Sequence, residues 1–148
     1  MTSSRDHYFM QEALKEARKA YTLHEVPVGA IVVKNEQIIA RAHNQVEHAR
    51  VATAHAELIA LSLAFKHTGD KYLPACTLYV TLEPCCMCAG ALYWAQMGRL
   101  VFGAQDLERG YRTVEKSLLH PRTQVTYGVL AQQSSMLLKQ FFHQLRAT

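Results

Sequence analysis

The alternation of apolar and polar positions divides the first third of the chain into three segments. Over residues 4–23, apolar side chains recur at helical spacing and most charged side chains lie off that stripe, which predicts an amphipathic helix. Two runs rich in β-branched residues follow, at 28–34 and 37–42, and a short Asn35-Glu36 turn separates them. That arrangement is typical of a β-hairpin. We therefore predict a helix and then a hairpin.

Helix-like and strand-like segments alternate through the rest of the chain. A polar loop over residues 44–50 leads to a helix that Thr53 would cap. The remaining predicted elements are a helix at 54–66, a strand at 78–82, a helix from about 84 to 96 closed by Gly98, a strand at 99–103, a surface loop at 106–114, a helical turn at 115–119, a strand at 124–127 and a helix at 131–146. This order predicts an α/β fold with a central mixed sheet. Because no repeat or linker interrupts the chain, we expect a single domain over residues 1–148.

Composition indicates a globular protein rather than a membrane protein. The chain has 148 residues, of which 49% are hydrophobic and 19% charged, values that are ordinary for a globular domain. The sequence contains no apolar run near the ~20 residues of a membrane span, and its first residues lack the apolar region of a signal peptide. We therefore expect a cytoplasmic protein with no membrane contact. The formal net charge of +4 permits a polyanionic partner without requiring one.

The cysteines point to a metal rather than to disulfides, because three of the four lie within four positions. On a helix, Cys85 and Cys88 would point about 60° apart, so that their thiolates could take two corners of a zinc tetrahedron. Cys86, between them, would point about 100° away from Cys85. We interpret Cys86 as a packing residue and Cys76 as a buried structural thiol.

A second motif, His55-Ala56-Glu57, lies thirty positions upstream of Cys85. Inside a helix, residues two apart diverge by roughly 200°, so a site shared by His55 and Glu57 must lie off the tip of their helix. His55 with the two cysteines gives three ligands and leaves the fourth position for water, as catalytic zinc requires. Glu57 could take the proton of that water. A non-enzymatic zinc module remains the alternative, although a closed structural site would show four Cys or His ligands.

The order H-x-E and then P-C-x-x-C is found in zinc-dependent nucleobase deaminases. Further segments make the chain resemble, over roughly residues 6–146, the bacterial tRNA-specific adenosine deaminases (TadA type). The resembling segments are 25–30, Asn44, 53–57, 77–91, 98–106 and 141–142. The resemblance implies a three-layer α/β/α cytidine-deaminase-like fold, one zinc ion per chain and a homodimer. It also implies that adenosine at the wobble position of a tRNA anticodon stem-loop is converted to inosine.

The resemblance also implies roles for individual residues. His55, Cys85 and Cys88 would hold the zinc ion, and Glu57 would move protons to N1 of adenine and to the departing ammonia. The positions that would contact the substrate are Asn44, which would read the flipped base, Val28 and Leu82, which would line its pocket, and Asp106, Phe141 and Phe142, which would lie near the nucleic acid. A loop asparagine is more usually part of a turn, so that reading of Asn44 stays open.

Two segments depart from the family pattern. Val51-Ala52 stands where the family usually has Asp-Pro, and residues 108–115 replace a glycine-rich segment. Because both segments bear on substrate choice, a deaminase of a free base or nucleotide, such as guanine or cytosine, is the second hypothesis.

Four cations could follow the phosphate backbone of an RNA substrate, and Tyr111 beside two of them could stack on a base. The four cations are Arg109, Arg112, Lys139 and Arg146. A solvated surface is the other interpretation of the same residues.

Overall fold

The computed structural model describes residues 3–147, which fold around one five-stranded sheet. The helices are α1 (Ser4–Thr22), α2 (Val46–Ala49), α3 (Ala56–Thr68), α4 (Cys86–Ala95) and α5 (Ala131–Ala147). The strands are β1 (Gly29–Lys34), β2 (Gln37–His43), β3 (Cys76–Leu82), β4 (Arg99–Ala104) and β5 (Gln124–Tyr127). A 3₁₀ helix, Tyr111–Thr113, lies between β4 and β5.

The sheet is mixed, as the element order predicts. Its strand order is β2-β1-β3-β4-β5, with β1 antiparallel to both neighbours and β4 parallel to both of its own. The predicted hairpin joins β1 to β2. Its two turn residues, Asn35 and Glu36, have φ values of 51° and 63°, as a turn matched to the strand twist requires.

Helices cover both faces of the sheet, which gives the expected three-layer α/β/α fold. On one face, α1 packs its apolar stripe against alternate positions of β1, β3 and β4, and α5 packs beside it. On the other face, α3 and α4 pack against the positions in between. This alternation places the starts of α3 and α4 on the same side of the sheet, where α3 also contacts α4. The predicted metal ligands lie at those two helix starts.

Several local predictions are wrong for identifiable reasons. Thr53 does not cap α3, because His55 occupies the N-cap position. Gly98 does not close α4, since Gln96 takes the left-handed conformation there with φ 52°. Gly98 is needed for another reason: a Cβ atom would lie 2.2 Å from the carbonyl oxygen of Pro74.

Residues 115–119 form bends rather than a helical turn, and the predicted loop over 44–50 contains α2.

Among residues 3–147, none of the helices combines the length and apolar character needed to cross a membrane.

Candidate metal centre and active site

The loop from β3 to α4 presents two thiols at a helix start. Cys85 is the N-cap residue of α4, in extended conformation, and Cys88 lies in the first turn. Cys88 is fully buried and Cys85 partly buried, so both thiols face the molecule rather than solvent. Cys86 is exposed, which overturns its interpretation as a packing residue, whereas Cys76 is buried as predicted.

The loop before α3 brings a histidine to the same point. Nδ1 of His55 lies 3.7 Å from Sγ of Cys85 and 3.5 Å from Sγ of Cys88. All three ligand atoms lie within 4.8 Å of one another. With Zn–S near 2.3 Å and Zn–N near 2.05 Å, a tetrahedral ion requires N···S distances of about 3.6 Å. The donor set therefore fits zinc, and it lies off the tips of two helices as the sequence predicts.

The two thiols differ in acidity because they share a hydrogen bond. The hydrogen bond from Cys88 lowers the pKa of Cys85 to about 5. The same hydrogen bond, together with burial, raises the pKa of Cys88. In the metal-free pair these opposite shifts favour the thiolate at Cys85 over Cys88, and ligation by both sulfurs requires loss of the Cys88 proton.

Glu57 lies beside this ligand set in the first turn of α3. Its side chain is buried and hydrogen-bonds to Cys88. Burial raises the pKa of Glu57 to about 7, whereas a cation at the three ligands would oppose that rise. The carboxyl group is thus placed to accept and donate protons within the site, as a general acid/base must.

Asn44 joins this group through the backbone of α3. Its Oδ1 accepts a hydrogen bond of 2.8 Å from the N–H of Ala56, directly after His55. Asn44 therefore supplies the cap that the sequence assigns to Thr53. The backbone of Val28 holds Asn44 in turn, since its carbonyl oxygen accepts from Asn44 N at 3.1 Å. Val28 is buried with Ala56 in one cluster, and Leu82 packs against that cluster.

The other predicted substrate positions are not part of this group. Asp106 uses Oδ1 to accept from the backbone N–H groups of Glu108 and Arg109, which forms a turn after β4. Phe141 and Phe142 lie on α5, on the sheet face opposite α3 and α4. Phe141 is buried and Phe142 is 39% exposed.

Two of the residues that could contact RNA also make contacts within the protein. The guanidinium of Arg112 lies over the rings of Phe102 and Tyr127 and contacts the buried carboxylate of Glu83. The ring of Tyr111 is buried edge-on against Phe102. Glu83 is not among the residues predicted from sequence, although a carboxylate two residues before a candidate zinc ligand was a visible signal.

A cavity of about 450 Å³ lies beside the first residues of β3, β4 and β5, whereas Cys85 follows the last residue of β3. The candidate site does not coincide with this large cavity of the protein. We place the reactive centre by the convergence of ligands and a buried carboxyl group rather than by volume.

Comparisons with known proteins agree with this site. The family described as the cytidine and deoxycytidylate deaminase zinc-binding region matches residues 3–104. A tRNA-specific adenosine deaminase of Aquifex aeolicus (strain VF5) is 42% identical over 144 residues, covering 94% of this chain and 95% of that protein. The chain therefore belongs to the zinc-binding cytidine and deoxycytidylate deaminase family, in the branch of the tRNA-specific adenosine deaminases.

Two solved structures illustrate the range of substrates on this fold. One, from studies of A-to-I editing by tRNA:A34 deaminases, has a TM-score of 0.82 and 38% identity, covering 88% of this chain and 99% of its own. The other, a guanine deaminase from Nitrosomonas europaea, has a TM-score of 0.76 and 27% identity, covering 89% and 81%. The expected fold and the expected zinc cofactor are thus confirmed at the level of the family.

Proposed function

We propose that the chain catalyses the zinc-dependent hydrolysis of adenosine to inosine and ammonia at the wobble position of a tRNA anticodon. The observation that carries the proposal is the buried carboxyl group of Glu57 beside three convergent zinc ligands. A non-enzymatic zinc module would not need that carboxyl group. The identity to tRNA-specific adenosine deaminases over nearly the whole chain favours adenosine in tRNA as the substrate.

In the proposed mechanism, His55, Cys85 and Cys88 hold the ion and Glu57 moves the protons. An ion held there would lower the pKa of a water molecule and so would supply a nucleophile at neutral pH. Glu57 takes a proton from that water and delivers it to N1 of adenine as the water oxygen adds to C6. The second water proton reaches the amino group, which leaves as ammonia when the C6–N bond breaks.

Asn44 is the proposed reader of the base. Because its Oδ1 accepts from Ala56, its Nδ2 group remains as the donor that could face an acceptor of the flipped base. Val28 belongs to the apolar cluster that includes Ala56, and Leu82 packs against that cluster; both would form the apolar wall of the pocket. Asp106, Phe141 and Phe142 are proposed to lie farther along the nucleic acid. A base already unstacked in an RNA loop would lower the cost of entry.

A deaminase of a free base is the rival function, since the guanine deaminase from Nitrosomonas europaea has a similar fold. A substrate panel separates the two. Ammonia release is measured with anticodon stem-loop RNA, free guanine, free cytosine and free adenine. We expect release with the RNA alone. Release from a free base, with none from the RNA, would establish the rival.

A homodimer is the proposed assembly, and the cytoplasm is the proposed compartment. The support for the dimer is the exposed side of α4, where Met87, Tyr93 and Trp94 remain uncovered in the single chain. Large exposed apolar groups close together on one helix are typical of interaction surfaces.

A further inference from the structure

One buried carboxylate ties the segment after β4 to the loop that carries the metal ligands. The side chain of Glu83, two residues before Cys85, is 2% exposed. Its Oε1 accepts from the N–H of Asp106 at 3.1 Å and from Nη2 of Arg112 at 3.4 Å. Its Oε2 accepts from Arg112 twice, from the backbone N–H at 3.0 Å and from Nε at 3.4 Å. Both oxygens of Glu83 therefore receive donors from the same segment.

The sheet fixes the position of the Arg112 side chain. Its guanidinium carbon lies 4.9 Å from the ring centroid of Phe102 on β4 and 4.3 Å from that of Tyr127 on β5. The two rings are stacked on each other, 5.6 Å apart and within 16° of parallel. A planar cation over aromatic faces is attracted to both rings. Arg112 thus connects two strands of the sheet to Glu83.

Backbone contacts make the same connection. Cys85 forms an isolated β-bridge with Gly110, and the N–H of Tyr111 donates to the carbonyl oxygen of Pro84 at 2.9 Å. A Cβ atom on Gly110 would lie 2.3 Å from the Glu83 carboxylate, so only glycine fits there. The segment around Gly110 therefore lies directly against the loop that presents Cys85 and helps to fix the position of that loop.

We propose that Arg112 is a positioning residue for the metal centre, acting through Glu83 to hold the loop that presents Cys85. Removing the guanidinium leaves a buried carboxylate without its charged partner, which favours movement of the loop. Mutation of the groups that hold metal ligands in place commonly weakens metal affinity by about 10- to 100-fold. The inference rests on the proposed ligation of zinc by His55, Cys85 and Cys88. It assigns no RNA contact to Arg112.

Two Arg112 variants and one matched control test this role. Arg112→Gln removes the charge, and Arg112→Lys keeps the charge but loses the planar fork. Arg109→Gln is the control, since Arg109 lies three residues away in the same segment and its backbone N–H bonds to Asp106 rather than to Glu83. For each protein we would measure zinc affinity by chelator competition, the thiolate bands of the Co²⁺-substituted form, and RNA affinity.

We expect Arg112→Gln to weaken zinc binding by about tenfold or more and to change the Co²⁺ bands. Arg112→Lys should recover part of the loss, whereas Arg109→Gln should bind zinc as the unmodified chain does. RNA affinity should stay within about twofold in both Arg112 variants. If Arg112 acts through Glu83, Glu83→Gln alone and Glu83→Gln with Arg112→Gln should bind zinc equally. If Arg112→Gln does not fold, the zinc affinities of Arg112→Lys and of the two Glu83→Gln proteins still test the positioning role.

Three results would overturn the inference. Unchanged zinc affinity and Co²⁺ bands in Arg112→Gln would remove the positioning role. Weaker RNA binding with an intact zinc site would make Arg112 a substrate contact. Additive losses in the double variant would show that Arg112 does not act through Glu83. If instead the unmodified chain binds no zinc, the proposed function itself fails, a result distinct from all three.

Discussion

At the residue scale, the proposed chemistry depends on one carboxyl group and three ligands. Glu57 is buried against Cys88, and without a metal ion burial raises its pKa to about 7. A cation held by the three ligands would lower that pKa and favour the carboxylate, the form that can accept a proton. The carboxyl group belongs to α3, whereas the two thiols belong to α4. The short distances from His55 to both thiols join the two helix starts into one site.

The first prediction concerns Glu57→Gln, which keeps the size of the side chain and removes its ability to take a proton. We expect zinc content and melting temperature close to those of the unmodified chain, and kcat lower by about 10²- to 10⁴-fold. Elemental analysis and single-turnover kinetics are the measurements. A variant that turns over at a near-normal rate would remove Glu57 from the mechanism.

The second prediction concerns the thiols of the zinc-free chain. Because the pKa of Cys85 is about 5 while burial raises the pKa of Cys76, iodoacetamide should modify Cys85 at neutral pH and spare Cys76. Peptide mass spectrometry should show the Cys85 rate falling to half its maximum near pH 5. Added zinc should protect Cys85. A rate that rises only above pH 8, or that zinc does not change, would contradict this account of the pair.

The candidate metal ligands could be predicted because residue type and spacing restrict zinc chemistry. The contacts that Arg112 and Tyr111 make inside the protein could not be predicted. A cation and an aromatic ring in a polar segment suit an RNA surface, and nothing local showed that Arg112 would pair with Glu83 or that Tyr111 would be buried against Phe102. Similarly, the exposure of Cys86 depends on which side of α4 faces the sheet.

At the element scale, the candidate site depends on where α3 and α4 begin rather than on the rest of either helix. The body of α3 was predicted from its apolar content, but its cap comes from Asn44, twelve residues before Ala56. Local sequence rules look for the cap beside the helix, which is why they selected Thr53. The strands were predicted more accurately, since β1, β3 and β4 are buried on both faces and are therefore short, largely apolar runs.

The third prediction separates the two roles of Asn44. Asn44→Ala loses the cap on Ala56 and should lower the free energy of unfolding by about 1 kcal/mol. Asn44→Asp keeps an acceptor oxygen at the helix start, so its loss of stability should be smaller. Both variants lack the Nδ2 donor, and both should lose activity. Denaturant unfolding and deamination rates are the measurements, and an active Asn44→Asp enzyme would show that Asn44 is a cap alone.

At the scale of the whole molecule, the single chain leaves large apolar side chains of α4 exposed. On α4, Trp94 is 76% exposed, and Tyr93 packs against it edge-on. The mixed sheet was predictable from element order, and the three layers are what the family resemblance implies. That α4 lies near an interface between two copies stays a prediction, based on its apolar residues and on the family resemblance.

The fourth prediction tests the proposed homodimer with Trp94→Glu. A charge at the centre of an apolar interface should raise the dissociation constant by about 30-fold or more, since buried tryptophans commonly contribute 2 kcal/mol or more to binding. The matched control is Tyr8→Glu, at an exposed aromatic residue of α1 in the other helix layer. Light scattering at micromolar concentration should give dimer for the control and monomer for Trp94→Glu. A monomeric unmodified chain would refute the dimer.

The most direct measurement is the appearance of inosine in RNA. A stem-loop with adenosine at the first anticodon position is incubated with the zinc-loaded chain, digested to nucleosides and analysed by mass spectrometry. The proposed function predicts one inosine per RNA at that position, and none with the Glu57→Gln variant or with RNA that carries adenosine only in its stem. RNA recovered with its adenosine intact, from a chain that deaminates free guanine, would contradict it.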